Sequence, residues 1–436
     1  MSAEGTGLEP DPVGQTGHFV TGFTWHRRST YRRVLANLGV LRESAERSMD
    51  YSRLRYLKPE AERKRIIGNL MKLRTQLDEE VPPKNAESDL LLATWNLRDF
   101  AKEDRKGFGE RFPESHFYIA EVLSRFDFVA VQEVNELDEW EKVMGILGPS
   151  WDFIATDVTE GSGGNGERLT YLYDKRKVWF QNIAGEVVLP ANLLITANVK
   201  PKSGDKEKIE TTVETEEDGG KGEEKVGKQF RRTPFAALFQ SAWFKFEICT
   251  VHIYYGAESG QKLDERVDEI AKIGKFFGER AEKDFAEKRS LILLGDFNIV
   301  GHDHKTMKAL TDSGFQVPKA LQGAPATNVE KNKFYDQIAF RPRPGDLEYL
   351  ETAGEGAEAR AGSVDIFKNV YTEAQFDEFK DQVDESDNAH TDAGKKDPLA
   401  YYLDWRTYQF SDHAPLWVRL KVNDSENYLK RLAGDD

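Results

Sequence analysis

A repeated ending constrains the fold of this chain more than any other feature. Leu91-Leu92-Ala93-Thr94-Trp95 stops at Asn96, and Phe128-Val129-Ala130-Val131 stops at Gln132-Glu133. Ile248-Cys249-Thr250-Val251 stops at His252, and Leu291-Ile292-Leu293-Leu294-Gly295 stops at Asp296, with Asn298 two residues on. Short apolar runs without alternation are characteristic of strands buried on both faces. Further strands fit 169–173, 236–240, 244–251, 337–340 and 416–422, and helical spacing fits 114–123, 137–147 and 263–285. The class is α/β. In such sheets ligands gather beyond the strand ends, so the polar residues that close these runs can converge on one edge.

Outside 88–422 the pattern changes. Residues 1–20 are polar, contain four glycines and read as a disordered tail. Residues 21–87 read as a basic helical extension, with fourteen Arg or Lys against five acidic residues between Thr21 and Thr75. Ile66, Ile67, Leu70, Leu73 and Leu77 keep amphipathic spacing there, and Pro59 suits a helix start. Such an arm either holds a polyanion or packs on the body with its arginines solvated, and charge runs usually decorate solvated faces. Two charged inserts, 201–225 with nine acids and five lysines and 377–397 with eight acids and three lysines, read as surface loops or disordered excursions. Residues 423–436 read as a C-terminal tail.

The net charge of −15 excludes a whole-surface positive field, so attraction for a polyanion must be local. Cys249 is the one cysteine, which rules out an intramolecular disulfide and leaves nothing that demands an oxidising compartment. The first twenty residues lack the apolar segment of a secretory signal. The longest apolar stretch, 235–255, is broken by Lys245 and Glu247 and falls short of the ~18 uncharged residues of a membrane span. The expectation is a soluble, cytoplasmic protein with no membrane partner.

Taken singly, each polar residue has a plain explanation, because Asn, Asp and Glu after a strand commonly cap turns. Together with Ser411-Asp412-His413 ahead of the last apolar run, they supply three carboxylates and two amides as hard oxygen ligands. That set suits Mg²⁺ or Mn²⁺ rather than Zn²⁺. The two histidines can exchange protons near neutral pH. Gly161 to Glu167 is glycine-rich but lacks the Lys-Ser/Thr of a phosphate-binding loop. His302 and His304 lack the further ligands a zinc site needs and read as a surface loop.

Thr94-Trp95-Asn96, Gln132-Glu133-Val134, Gly166-Glu167-Arg168, His252, Gly295-Asp296-Phe297-Asn298 and Ser411-Asp412-His413 occur in the order of the endonuclease/exonuclease/phosphatase superfamily, which the chain resembles over 88–422. Phe230-Arg231-Arg232-Thr233-Pro234 and Tyr335-Asp336-Gln337-Ile338 look like its deoxyribonuclease I branch. The resemblance implies a four-layered α/β sandwich of two packed mixed sheets flanked by helices, preceded here by the helical extension. It also implies metal-dependent hydrolysis of a phosphate ester. Glu133 would hold Mg²⁺ or Mn²⁺, with Asn96, Asp296 and Asp412 as nearby or water-mediated ligands. His252, oriented by Glu167, and His413, oriented by Asp336, would be the general acid and base. Asn298 and Arg232 would bind the scissile phosphate.

Two departures bear on substrate. Where the branch has an arginine that reaches the DNA minor groove this chain has Asn135, and where it has a sugar-stacking tyrosine this chain has Asn165. The chemistry therefore carries over more firmly than a duplex substrate. The leading expectation is an endonuclease acting on nucleic acid, DNA ahead of RNA. The alternatives are a phosphoesterase acting on a lipid, sugar or inositol phosphate, and a non-enzymatic protein that binds nucleic acid or a partner through the basic arm.

Overall fold

The computed structural model describes residues 49–102, 107–158, 166–199, 224–286, 289–342, 360–391, 394 and 397–434. Six strands form one sheet: β1 (Asp89–Phe100), β2 (Phe128–Val134), β3 (Trp151–Ala155), β4 (Arg168–Asp174), β12 (Ala361–Ser363) and β13 (Leu416–Lys421), in the order β12-β13-β1-β2-β4-β3. Five more, β5 (Trp179–Glu186), β8 (Phe235–Ser241), β9 (Phe244–His252), β10 (Ser290–Asp296) and β11 (Asp336–Arg341), form the second in the order β11-β10-β9-β8-β5. A separate hairpin pairs β6 (Ile195–Val199) with β7 (Glu224–Lys228). Only β1 with β2 and β9 with β10 run parallel among the described pairs. Both sheets are therefore mixed.

Side-chain alternation along β1 explains the layering. Leu90 and Leu92 join a core shared with Phe239, Phe246 and Ile248 of the other sheet, whereas Leu91, Ala93 and Trp95 turn outward. The outward set packs on α1 (Glu60–Glu80), α2 (Pro113–Leu123) and α3 (Leu137–Leu147). On the far side, Ile270, Ile273, Phe277 and Ala281 of α4 (Gln261–Ala286) are buried against the second sheet. The result is a helix, sheet, sheet, helix stack. Local sequence sets the helix ends: Pro113 begins α2 with φ already suited to a helix, and Gly148 at φ 90° stops α3.

Expected strands and helices lie within five residues of their observed ends, the largest difference being the continuation of β1 through a bulge to Phe100. Strands β3, β5, β6, β7 and β12 are additions. The edge strand β5 leaves Trp179 and Ile183 exposed and is bulged between Phe180 and Ala184, so it lacks the alternation that identifies a strand.

Three terminal or inserted segments differ from their sequence reading. The described end of insert 201–225, from Glu224, is strand β7, and the remainder lies outside the described residues. The described part of the acidic segment 377–397 is not an excursion: Lys380–Asp384 is helical, and Phe379 and Val383 are buried. Phe379 packs on Tyr371, Tyr402 and Trp405, aromatic anchors spread too far along the chain to register beside its eight acids. Residues 425–433 of the tail form a helix without buried residues, closed by Gly434 at φ 79°.

Residues 1–48 lie outside the described residues. In α1, Ile66, Leu70, Leu73 and Leu77 are buried, and Arg65 pairs with the buried Glu114 at 2.9 Å. Among the described residues no helix is long and apolar enough to cross a membrane.

Candidate active site

The polar strand ends meet at one edge of the sandwich. Register does most of the placing: Asp296 lies opposite both His252 on β9 and Asp336 on β11, while Asn96 lies opposite Gln132. Bulges interrupt β1/β2 after Asn96 and β2/β4 before Val134, and they turn Glu133 toward this edge. Arg98, Asp99, Glu133 and Asn298 all have left-handed backbones, with φ of 41°, 48°, 63° and 53°. Such conformations cost about 1–3 kcal/mol each and persist where the surroundings over-determine them.

Each histidine is held by its own carboxylate. His252 Nδ1 lies 2.9 Å from Glu167 Oε2, and His413 Nδ1 lies 2.7 Å from Asp336 Oδ2. Their Nε2 atoms face a shared group, Asp296 Oδ2, at 3.5 and 3.8 Å. Glu133 completes the cluster. Its Oε1 is 3.7 Å from His252 Nε2 and accepts from Asn96 Nδ2 at 3.0 Å, and its Oε2 accepts the Asp99 N–H at 2.6 Å.

Burial and charge then compete at each group. Burial and Arg232 push His252 down, but Glu167 and Asp296 outweigh them and hold it above its ordinary value. Burial likewise pushes His413 down, but Asp336 and Asp296 outweigh it and hold it well above its ordinary value. Asp296 and Glu167, driven up by burial, end below the usual carboxylate range because histidines neutralise them. Glu133 and Asp336 stay above it, since burial wins there. This pattern of opposed shifts is typical of acid–base sites.

Glu133, Glu167 and His252 each offer a ligand atom, all within 4.8 Å of one another. A half-buried carboxylate whose desolvation favours protonation is a receptive partner for a divalent cation, and a carboxylate-dominated set fits Mg²⁺ or Mn²⁺. The other expected ligands sit differently. Asn96 Oδ1 accepts the Arg98 N–H, and its NH₂ donates to Glu133 and Asp296. Asp412 pairs with Arg98 at 3.3 Å and acts electrostatically on Glu133 and His413.

The expected phosphate binders are both present at the edge. Arg232 Nε is 2.7 Å from Glu167 Oε1, and Asn298 donates its side chain to the Ile253 carbonyl at 2.7 Å while its N–H reaches Asp296. Asn135 is buried, and Asn165 lies outside the described residues. His304 caps the helix Lys305–Thr311 and His302 packs on Phe334, so neither joins the cluster.

Sequence reasoning missed three site neighbours. Arg98 stacks on Tyr408 at 3.8 Å and ties Asp404 to Asp412. Tyr335 packs on the His413 ring at 5.6 Å. Arg266 is fully buried beneath the site. Tyr335 lies within a recognised motif and Arg98 two residues beyond one, a signal that was available; Arg266 carried none.

Comparison with known proteins adds the following. No family model matches the chain. A curated relative described as a deoxyribonuclease, from Thioalkalivibrio sp. (strain K90mix), is 24% identical over 269 residues, covering 59% of this chain and 59% of its own. Similar solved structures include an endonuclease/exonuclease/phosphatase family protein from Bacteroides thetaiotaomicron, with TM-score 0.42, 15% identity and coverage of 77% of this chain and 99% of that one. The human Nocturnin catalytic domain is another neighbour, with TM-score 0.43, 12% identity and coverage of 77% and 95%. A functionally unknown protein from Enterococcus faecalis V583 reaches TM-score 0.42 at 15% identity, covering 77% of this chain and all of that one. The chain thus spans less than two thirds of the curated relative's length and most of each of these structures.

Proposed function

We propose that this chain belongs to the endonuclease/exonuclease/phosphatase superfamily and is a divalent-metal-dependent phosphodiesterase acting on nucleic acid, DNA in preference to RNA. One observation carries the reading: two buried histidines, each anchored by its own carboxylate, direct their Nε2 atoms at the same Asp296 oxygen beside Glu133. A core histidine needs one partner, whereas two that converge on a carboxylate cluster suit proton transfer at a shared substrate. The curated relative described as a deoxyribonuclease supports the nucleic-acid choice.

The chemistry follows from the residues. Arg232 and the Asn298 amide bind non-bridging oxygens of the scissile phosphate. One histidine accepts a proton from the attacking water and the other donates one to the leaving oxygen, with Glu167 and Asp336 fixing the tautomers. Asp296, between them, stabilises whichever imidazolium is present. Glu133 would hold the divalent ion, which supplies positive charge for the phosphate oxygens and the leaving group.

The buried Asn135 leaves no side chain there to read a groove, which favours a phosphate ester other than duplex DNA as the second reading. Supercoiled plasmid, linear duplex, single-stranded RNA and a small chromogenic phosphodiester, each with Mg²⁺, Mn²⁺ or EDTA, separate the two. Metal-dependent plasmid nicking is the expected result. Cleavage of the small ester alone moves the substrate to a lipid, sugar or inositol phosphate, and no cleavage of any substrate overturns the reading.

A further inference from the structure

Two loops leave the strand ends at the site, one after His252 and one after Asp296, and Arg266 of α4 joins them. Arg266 is 1% exposed, with its guanidinium over the Tyr255 ring at 4.4 Å. Its Nε donates to the Tyr255 carbonyl at 2.8 Å, and its Nη2 donates to the same carbonyl and to that of Ala257, the latter at 2.6 Å. Nη1 crosses to the second loop and donates to the Asn298 carbonyl at 2.9 Å. Among the described residues, every hydrogen bond of this buried cation ends on a backbone carbonyl and none on a carboxylate.

Taking a guanidinium out of water is costly, and buried charges are ordinarily paired with an opposite one. Here the planar fork is given to three carbonyls of two loops, a span that an apolar side chain of similar volume would leave untied. The second loop carries Asn298, whose backbone is left-handed at φ 53°, a conformation that persists only where its surroundings over-determine it. The Asn298 N–H donates to Asp296 Oδ1 at 2.9 Å, and its side-chain amide donates to the Ile253 carbonyl of the first loop at 2.7 Å. The third hold is the Arg266 bond at its carbonyl. That bond sets the separation of the two loops, which is the distance the Asn298 amide bridges. With one amide N–H on Ile253, the other is left for a ligand oxygen in a direction fixed by that bridge. Losing the hold at the carbonyl frees Asn298 to relax toward an ordinary φ, which turns its amide away.

We propose that Arg266 is a positioning residue that holds the Asn298 amide in place for a phosphate oxygen, by pinning the Asn298 carbonyl to the loop that follows His252. This rests on the phosphodiesterase reading and extends it to a residue that touches neither substrate nor metal.

A double-mutant cycle over Arg266→Lys and Asn298→Ala in the full chain tests it. Lysine keeps the charge and the stem but lacks the planar fork that reaches both loops at once. The readouts are KM and kcat on a small phosphodiester, the Kd of inorganic phosphate by calorimetry, and backbone hydrogen exchange over 297–299 by mass spectrometry, all at a temperature where Tm shows each variant folded. Should the lysine variant fail to fold, Arg266→Gln, which retains a donor for one carbonyl, takes its place in the cycle. The expected result is a KM and a phosphate Kd each raised about tenfold with kcat within about threefold, exchange over 297–299 quickened while that of α2 is unchanged, and no further effect on KM or Kd once Asn298 is Ala. Equal effects on KM and Kd in both Asn298 backgrounds overturn the proposal. So does a lysine variant with wild-type KM, Kd and exchange over 297–299, whatever its Tm. If the wild type turns over no phosphodiester, the functional reading fails on that evidence, and exchange over 297–299 with the phosphate affinities across the same cycle still decides whether Arg266 holds Asn298.

Discussion

Gly295→Ala probes the packing of the two strands that bring His252 and Asp296 together. Gly295 has φ +128°, and a Cβ built there would lie 2.2 Å from the Val251 carbonyl oxygen and 2.9 Å from the Val251 nitrogen. Both atoms belong to the backbone of β9, which has no side chain to swing aside. Restoring ordinary contact requires β9 and β10 to part by about 1 Å at this level. Placing a side chain at such a φ costs about 1–3 kcal/mol, and weakening a buried strand hydrogen bond adds about 1–3 kcal/mol. A loss of roughly 2–6 kcal/mol lowers Tm by about 3–8 °C in a domain of this size. The next register pair is Asp296 with His252. A 1 Å misplacement of reacting groups costs on the order of 100-fold, so kcat/KM on a small phosphodiester falls by at least that at temperatures where the variant is still folded. Gly185→Ala in β5 is the control, because nothing lies within 4 Å of the added Cβ, and it leaves both readouts in place. A Gly295→Ala protein with Tm within about 2 °C of wild type and kcat/KM within about threefold would refute the reasoning, since these margins are small beside the expected 100-fold.

Three further outcomes follow from the same structure. Asp336→Asn keeps the shape beside His413 but removes the charge that holds its imidazolium, so kcat falls by about 10²–10⁴-fold with little change in Tm, read by steady-state kinetics and calorimetry. Burial, opposed by Arg65, pushes the Glu114 carboxyl up to about 7. The folded chain then holds a proton that the unfolded chain releases near pH 4.5, so this group's contribution to stability is complete below that value and is lost by about pH 7, a change of about 3 kcal/mol. Urea midpoints of Glu114→Gln are flatter between pH 5 and 7.5, and equal slopes in the two proteins would contradict this. Phe379→Ala removes a fully buried ring from the acidic segment and costs about 3–5 kcal/mol by urea denaturation, whereas a surface excursion would lose almost nothing.

The site was more legible than the frame around it. Buried strands announce themselves as continuous apolar runs, and their polar ends were visible because Asn96, Glu133, His252 and Asp296 each follow such a run. The edge strand β5 was hidden because Trp179 and Ile183 face solvent and a bulge breaks its period. Composition misled at 377–397, where eight acids masked Phe379 and its aromatic neighbours from distant parts of the chain. The sequence is silent about how the Asn96 amide is turned; in the structure its Oδ1 accepts the Arg98 N–H. Arg266 and Glu269 left no mark because charges on a helix ordinarily face water, and only tertiary packing buries them.

The central claim is that the two anchored histidines serve phosphodiester hydrolysis. The most direct test is turnover of a small chromogenic phosphodiester by wild type, His252→Ala and His413→Ala, with Mg²⁺ or Mn²⁺ and with EDTA. Metal-dependent turnover in the wild type that drops by about 10²–10⁴-fold in each variant, while the Tm values stay close, is the expected result. Undiminished turnover in either histidine variant, or a wild type inert with every metal, would contradict it.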